Sequence, residues 1–121
     1  RLEDRRQLPR ENSSQTAAIG QIKRYMKAHV DSDYSLMDVA EYMQMNPAYL
    51  SRYFKEKTQE TFLEYDKRLK MERAMELLWT TNMKTYEIAN QLGYKSSQHF
   101  SRIFKEYNGC TPMEYRQRRN L

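Results

Sequence analysis

The stretch Leu50-Ser51-Arg52-Tyr53-Phe54-Lys55-Glu56 returns further along the chain as Phe100-Ser101-Arg102-Ile103-Phe104-Lys105-Glu106. In both copies the first, fourth and fifth residues are apolar, the spacing that gathers side chains on one face of a helix. The polar residues recur in register as well, Ser-Arg and then Lys-Glu, which core packing alone does not demand. Upstream, Val39-Ala40 matches Ile88-Ala89. Downstream, Thr61-Phe62-Leu63-Glu64-Tyr65 matches Thr111-Pro112-Met113-Glu114-Tyr115. The offset is 49 before the internal turn and 50 after it, so one extra residue sits in the second turn, where a repeat tolerates insertion. Each unit reads as a short helix, a tight turn and a longer helix. That is the outline of a helix-turn-helix, whose second helix fits the DNA major groove.

Start and stop signals extend this reading outward. Ser35 and Asp38 form a capping-box pair ahead of a short helix with Leu36, Val39, Ala40 and Met43 on its core face. Asn46-Pro47 opens the next helix, since Asn accepts from free backbone N–H groups and proline is tolerated in the first turn. Thr61 with Glu64 opens the longest periodic stretch, carrying Phe62, Tyr65, Leu69, Ala74, Met75 and Leu78. Thr85 starts a short helix, Gly93 suits the turn after it, and Ser96 or Ser97 begins the following one. Thr111-Pro112-Met113-Glu114 caps the last. Before all of these, Ile19, Ile22, Met26 and Val30 share one face of a helix beginning near Ala17. The expected fold is all-α, with about seven helices and no strand. A first helix-turn-helix spans about 35–58, a long linker helix about 62–80 and a second helix-turn-helix about 85–107. The linker would be ~28 Å long at the α-helical rise, beside the ~34 Å between successive major-groove exposures on one side of B-DNA.

Composition agrees. With 121 residues and only three glycines and three prolines, the chain suits one compact helical domain. No apolar run is long enough to span a bilayer and no signal-peptide pattern opens the chain. The single cysteine, Cys110, has no disulfide partner and no neighbours at metal-ligand spacing, so a cytoplasmic setting is expected. Twenty-one basic against 16 acidic residues give +5, suited to a polyanion but also common among helical proteins. Residues 1–16, with Arg1, Arg5, Arg6 and Arg10, read as a linker end, a short helix or a basic arm. The chain begins at Arg1 rather than Met, and a companion domain upstream is expected to hold any effector site and dimer interface.

The segment Leu92-Gly93-Tyr94-Lys95-Ser96-Ser97-Gln98-His99-Phe100-Ser101-Arg102-Ile103-Phe104-Lys105, followed by Gly109-Cys110-Thr111-Pro112-Met113-Glu114-Tyr115-Arg116, resembles the AraC/XylS signature. The resemblance reaches upstream through Tyr49-Leu50-Ser51-Arg52-Tyr53-Phe54-Lys55 to about Ile19, so residues 17–121 are similar to the DNA-binding domain of that family. It implies bacterial transcription control, usually activation, by two recognition helices in consecutive major-groove segments, and contact with RNA polymerase. Three positions depart from the family. Gln59 stands where glycine is usual, Lys70 replaces a usual arginine, and Asp66 replaces a usual apolar residue.

Exposed residues in the first half of each second helix are the candidates for reading bases. They are Ala48, Tyr49, Ser51 and Arg52 in the first unit, and Ser97, Gln98, Ser101 and Arg102 in the second. Arginine can bond guanine O6 and N7 together, and glutamine adenine N6 and N7. Arg52 could instead pair with a nearby glutamate, and Ala48 and Ser51 could simply be small enough for close approach. Lys55, Thr61, Ser96, His99, Lys105 and Thr111 are the candidates for the DNA backbone, with helix capping an adequate account of Thr61 and Thr111. Arg116, Arg118 and Arg119 crowd the end of the last helix, where its dipole favours cations.

Two other classes of function fare worse. An enzyme needs convergent nucleophile, base or metal groups, and the only histidines, His29 and His99, stand apart from any such cluster. No catalytic residue, metal ligand or cofactor site is therefore assigned. A helical interaction module could use the eight methionines and ten tyrosines, although methionines at helical spacing are more often core. RNA is disfavoured because A-form major grooves do not admit a helix.

Overall fold

In the computed structural model, residues 17–121 can be described, and the arm or linker expected at 1–16 lies outside them. The described residues form seven α-helices and no strand. Helix α1 covers residues 17–28. It is followed by α2 (Leu36–Met43), α3 (Pro47–Thr58), α4 (Phe62–Thr80), α5 (Thr85–Gln91), α6 (Ser97–Asn108) and α7 (Pro112–Gln117), and a 3-10 turn Arg118–Asn120 closes the chain.

The caps explain most of these boundaries. At α2 the Ser35 hydroxyl accepts from Asp38 N–H and the Asp38 carboxylate accepts from Ser35 N–H, so two otherwise unpaired donors are satisfied reciprocally. Asn46 Oδ1 accepts from Ala48 and Tyr49 N–H at 2.9 and 3.3 Å, with Pro47 as the first helical residue of α3. Of the two serines considered for α6, Ser96 is the cap, accepting from His99 N–H at 3.0 Å. Thr111 and Glu114 build a full capping box at α7. Helix α5 begins at Thr85 as expected, but its cap is only half built. Lys84, not Thr85, holds the cap position, and because a lysine side chain cannot accept, only Glu87 Oε1 serves there, taking Lys84 N–H at 2.8 Å.

The chain folds as two compact units. The first takes residues 17–28 with Ser35–Phe62. It buries Ile22 and Met26 from α1, Val39 and Ala40 from α2, and Leu50 and Phe54 from α3, with the Phe62 ring edge-on to Phe54. Helix α2 packs on α3.

The second unit takes His29–Tyr34 together with Leu63–Leu121, so it holds all of α4 beyond Phe62. Its core joins Met71, Ala74, Leu77 and Leu78 of α4 to Ile88, Ala89 and Leu92 of the α5 region and to Phe100 and Phe104 of α6. Val30, expected on the apolar face of α1, lies beyond the end of that helix and packs against this second core instead.

Three polar fastenings complete the second unit. Arg73 forks onto Asp31, with Nε 2.9 Å from Oδ1 and Nη2 2.9 Å from Oδ2, and its other arm reaches Glu76. The guanidinium holds the Asp31 carboxyl below the usual carboxylate range. Next, Tyr34 O–H donates to Asp66, whose other oxygen lies 3.0 Å from Lys70 Nζ. The Lys70 ammonium sits over the rings of Tyr34 and Tyr94 at 5.8 and 5.6 Å. The two departures noted at 66 and 70 are thus partners, a carboxylate and an ammonium four residues apart and both about 15% exposed. Burial, and then the Asp66 charge, push the Tyr94 phenol up to about 12.

The third fastening adds to an expectation. Arg116 stands in the last turn of α7, as expected, but its guanidinium and that of Arg119 reach the end of another helix. Arg116 donates to the carbonyls of Leu78 and Thr81, and Arg119 to those of Leu78, Trp79 and Thr81 and to Asn82 Oδ1. Carbonyls at the end of an α-helix have no partner within it. Two guanidinium groups brought back from the end of the chain supply those partners at the C-terminus of α4.

Candidate nucleic-acid interface

Each unit presents its longer second helix in the same way. In the first, Leu50 and Phe54 face the core and are fully buried. A helix turned so leaves Ala48, Tyr49, Ser51, Arg52 and Lys55 in solvent, and all five are exposed. In the second, burial of Phe100 and Phe104 leaves Gln98, His99, Arg102 and Lys105 exposed, while Ser97 and Ser101 are half-buried. Six of the eight base-reading candidates therefore stand in the open, four on α3 and two on α6.

The arginines are not free rods. Arg52 lies over the Tyr49 ring, 5.8 Å from its centroid, and Tyr49 is stacked on Tyr53 at 5.7 Å. No carboxylate among the described residues takes Arg52, so the ring replaces the glutamate partner weighed from sequence. At the equivalent place on α6, Arg102 Nη2 lies 2.9 Å from His99 Nδ1. A guanidinium has only donors, so Nδ1 accepts and the imidazole proton sits on Nε2. The His99 ring lies 5.7 Å from that of Tyr94. Neither contact is visible in composition, although the i, i+3 spacing of 49 with 52 and of 99 with 102 is its signature.

The candidates for backbone contact divide. Lys105 is exposed beyond Arg102, whereas Lys55 Nζ already donates to Gln59 O at 3.3 Å, at the end of its own helix. Ser96 and Thr111 have their hydroxyl oxygens engaged as caps. Glu114 belongs to the Thr111 cap, and the backbone N–H of Thr111 holds its carboxyl below the usual carboxylate range. Thr61 immediately precedes α4 and is half-buried.

Beside the N-terminus of α6 the second unit has an open groove of about 570 Å³, bordered by Met83, Tyr86, Asn90, Tyr94 and Lys95. No group of His, Cys, Asp or Glu among the described residues could hold a metal ion, and Cys110 is buried. No described helix is long and apolar enough to cross a membrane.

Two tandem units, each a short helix, a tight turn and a longer helix with a polar outer face, define a double helix-turn-helix domain. Residues 39–118 match the helix-turn-helix domain family of that description. The chain is 30% identical over 110 residues to the Msm operon regulatory protein of Streptococcus mutans, covering 91% of this chain and 40% of that protein. Among solved structures it is similar to the C-terminal domain of AraT, a response regulator from Geobacillus stearothermophilus. That match has a TM-score of 0.78 and 34% identity over 84% of this chain and 85% of the other. The DNA-binding domain of AdpA, solved with a target DNA, superposes with a TM-score of 0.75 over 82% of this chain and 89% of its own. At 20% identity that likeness concerns the fold alone. The chain belongs to the AraC/XylS-type helix-turn-helix family. These relatives are regulators rather than enzymes, and the chain spans 40%, 32% and 12% of the length of three of the curated relatives it matches.

Proposed function

We propose that this chain is the sequence-specific DNA-binding domain of a transcription regulator and that it inserts α3 and α6 into successive major-groove segments of one duplex. The observation that carries this reading is the repeat itself. Two helices of equal length, 12 residues each, carry the same Ser-Arg-x-x-Lys pattern with its arginine and lysine exposed, after burying the same apolar face. Arg52, Tyr49, Ala48 and Ser51 read bases in one subsite, and Arg102, Gln98, Ser97 and Ser101 in the other. Lys105, His99 and Lys55 lie toward the phosphates, joined by the helix starts at Thr61, Ser96 and Thr111.

A longer parent protein fits the lengths of the relatives. An upstream effector or dimerisation domain, contact with RNA polymerase and a cytoplasmic, nucleoid-bound location belong to the same proposal, with activation as the expected direction.

Titration of the chain onto a duplex across salt concentrations tests the DNA reading. Affinity should fall steeply and linearly on a log–log scale as condensed counterions are released. Binding that ignores salt, or no binding, contradicts it and favours an interaction module.

A further inference from the structure

We infer that His99 is a positioning residue for Arg102, and that it sets how sharply the second unit discriminates its base pair. The inference rests on the DNA-binding reading above and adds to it a role for a residue otherwise placed only near the phosphates. An exposed arginine has four rotatable bonds, and fixing them on contact with DNA costs affinity and blurs selectivity. His99 fixes them beforehand. Its Nδ1 accepts one N–H from Arg102 Nη2 at 2.9 Å. Of the five guanidinium N–H groups, four stay available, enough for a two-bond contact with guanine O6 and N7.

The imidazole is itself held. Its backbone N–H donates to Ser96 Oγ at 3.0 Å, which pins residue 99 in the first turn of α6. The Tyr94 ring stands against it at 5.7 Å, and also against Phe100 at 5.3 Å. Tyr94 is held in turn by Lys70, 5.6 Å over its ring, and Lys70 by Asp66. A connected set of contacts thus runs from the α4 ion pair to the recognition arginine. The first unit solves the same problem differently, since Arg52 lies on the face of Tyr49 at 5.8 Å, a contact that uses none of its N–H groups as hydrogen-bond donors.

The test uses the duplex that the unaltered chain enriches from a randomised library, its single-base variants, and an unrelated duplex. Affinities are measured for His99→Ala, His99→Asn, Arg102→Ala and the double variant His99→Ala/Arg102→Ala, with thermal melting to show that each folds. Asn carries an oxygen at about the reach of Nδ1. His99→Ala should lose about three- to tenfold in discrimination at the one base pair that Arg102→Ala also blurs. His99→Asn should restore it, and the double variant should match Arg102→Ala alone. Any loss of His99→Ala on the unrelated duplex should be smaller than its loss at that base pair. An equal loss on every duplex, with a salt slope lowered by about one and no selective loss at that base pair, marks His99 as a phosphate contact only and overturns the inference. So does a silent His99→Ala where Arg102→Ala is effective. If Arg102→Ala is itself silent on every duplex, the DNA reading of α6 fails along with it.

Discussion

Gln59 and Gly109 occupy the same left-handed backbone position in the two repeats, with φ of 66° and 80°. Each ends a recognition helix by donating its N–H to the carbonyl of the equivalent lysine, Lys55 at 2.8 Å and Lys105 at 2.7 Å. The same holds one turn earlier, where Gln44 at φ 56° matches Gly93 at φ 86°. Both turns of the first unit therefore ask a residue with a Cβ to adopt a conformation that glycine adopts without steric cost. Gln59 offsets part of that cost by donating its side-chain amide to Glu56 O at 3.0 Å.

Replacing these glutamines by glycine should stabilise the first unit. We expect Gln44→Gly to add about 1 kcal/mol and Gln59→Gly less, since it also loses the amide contact. Denaturant midpoints check this, and a loss of stability in both variants contradicts it.

The reverse change should separate the two glycines of the second unit. A Cβ on Gly93 would meet Asp33 Oδ1 at 3.3 Å, whereas one on Gly109 meets nothing within 4 Å. Gly109→Ala should cost about 1 kcal/mol from backbone strain alone, and Gly93→Ala more. Equal melting temperatures for the two variants would go against the crowding argument.

Arg119 should matter to the end of α4 more than its place near the chain terminus implies. Arg119→Ala removes the arginine donor from the Trp79 carbonyl and one of two from those of Leu78 and Thr81, which keep Arg116. The expected loss is about 1–3 kcal/mol, and Arg119→Lys should recover little of it because a point ammonium cannot span the fork. Hydrogen exchange in the last turn of α4 reads the effect directly.

The Asp66–Lys70 pair should behave as one object. Its partial burial places it between surface and interior pairs, so removal of either charge should cost about 2 kcal/mol. Asp66→Leu with Lys70→Met together should recover most of that, because no lone charge remains buried. A double-mutant cycle on chemical denaturation measures the coupling, and additive losses would contradict it.

Alkaline pH should act on the second unit through tyrosine. Tyr34 and Tyr94 both have phenol ionisation pushed above the ordinary value of 10.0, chiefly by burial. The folded state thus binds these protons more tightly than the unfolded state does. Their contribution is whole below pH ~10 and is lost as pH rises through the folded values, about 12 for Tyr94. In an ultraviolet titration the two phenols should ionise last, together with unfolding. Asp31 acts in the opposite sense at the acid end. Arg73 lowers its value below 3.8, so its contribution is present at neutral pH and fades as pH falls through that lowered value.

The helices were legible in the sequence because their starts carry local chemistry. Ser35 with Asp38, Asn46 with Pro47, and Thr111 with Glu114 each declare a boundary within four residues. The outward faces of α3 and α6 were legible because burial of Leu50, Phe54, Phe100 and Phe104 dictates which neighbours point outward, although Ser97 and Ser101 lie half-buried. What escaped is set by contacts across long sequence separations. Arg116 and Arg119 meet carbonyls some 35 to 41 residues upstream, and Arg73 meets Asp31 across 42. No periodic pattern announces such pairs. Asp66 and Lys70 looked like isolated departures until Tyr34 and Tyr94 were seen to close around them.

Selection from randomised DNA duplexes at near-physiological salt tests the central claim most directly, run with the unaltered chain and with Arg52→Ala and Arg102→Ala. The two-insertion account predicts two short enriched clusters about one helical turn apart, with each arginine variant erasing information in a different one. A single cluster touched by both variants, or no enrichment at all, would contradict it.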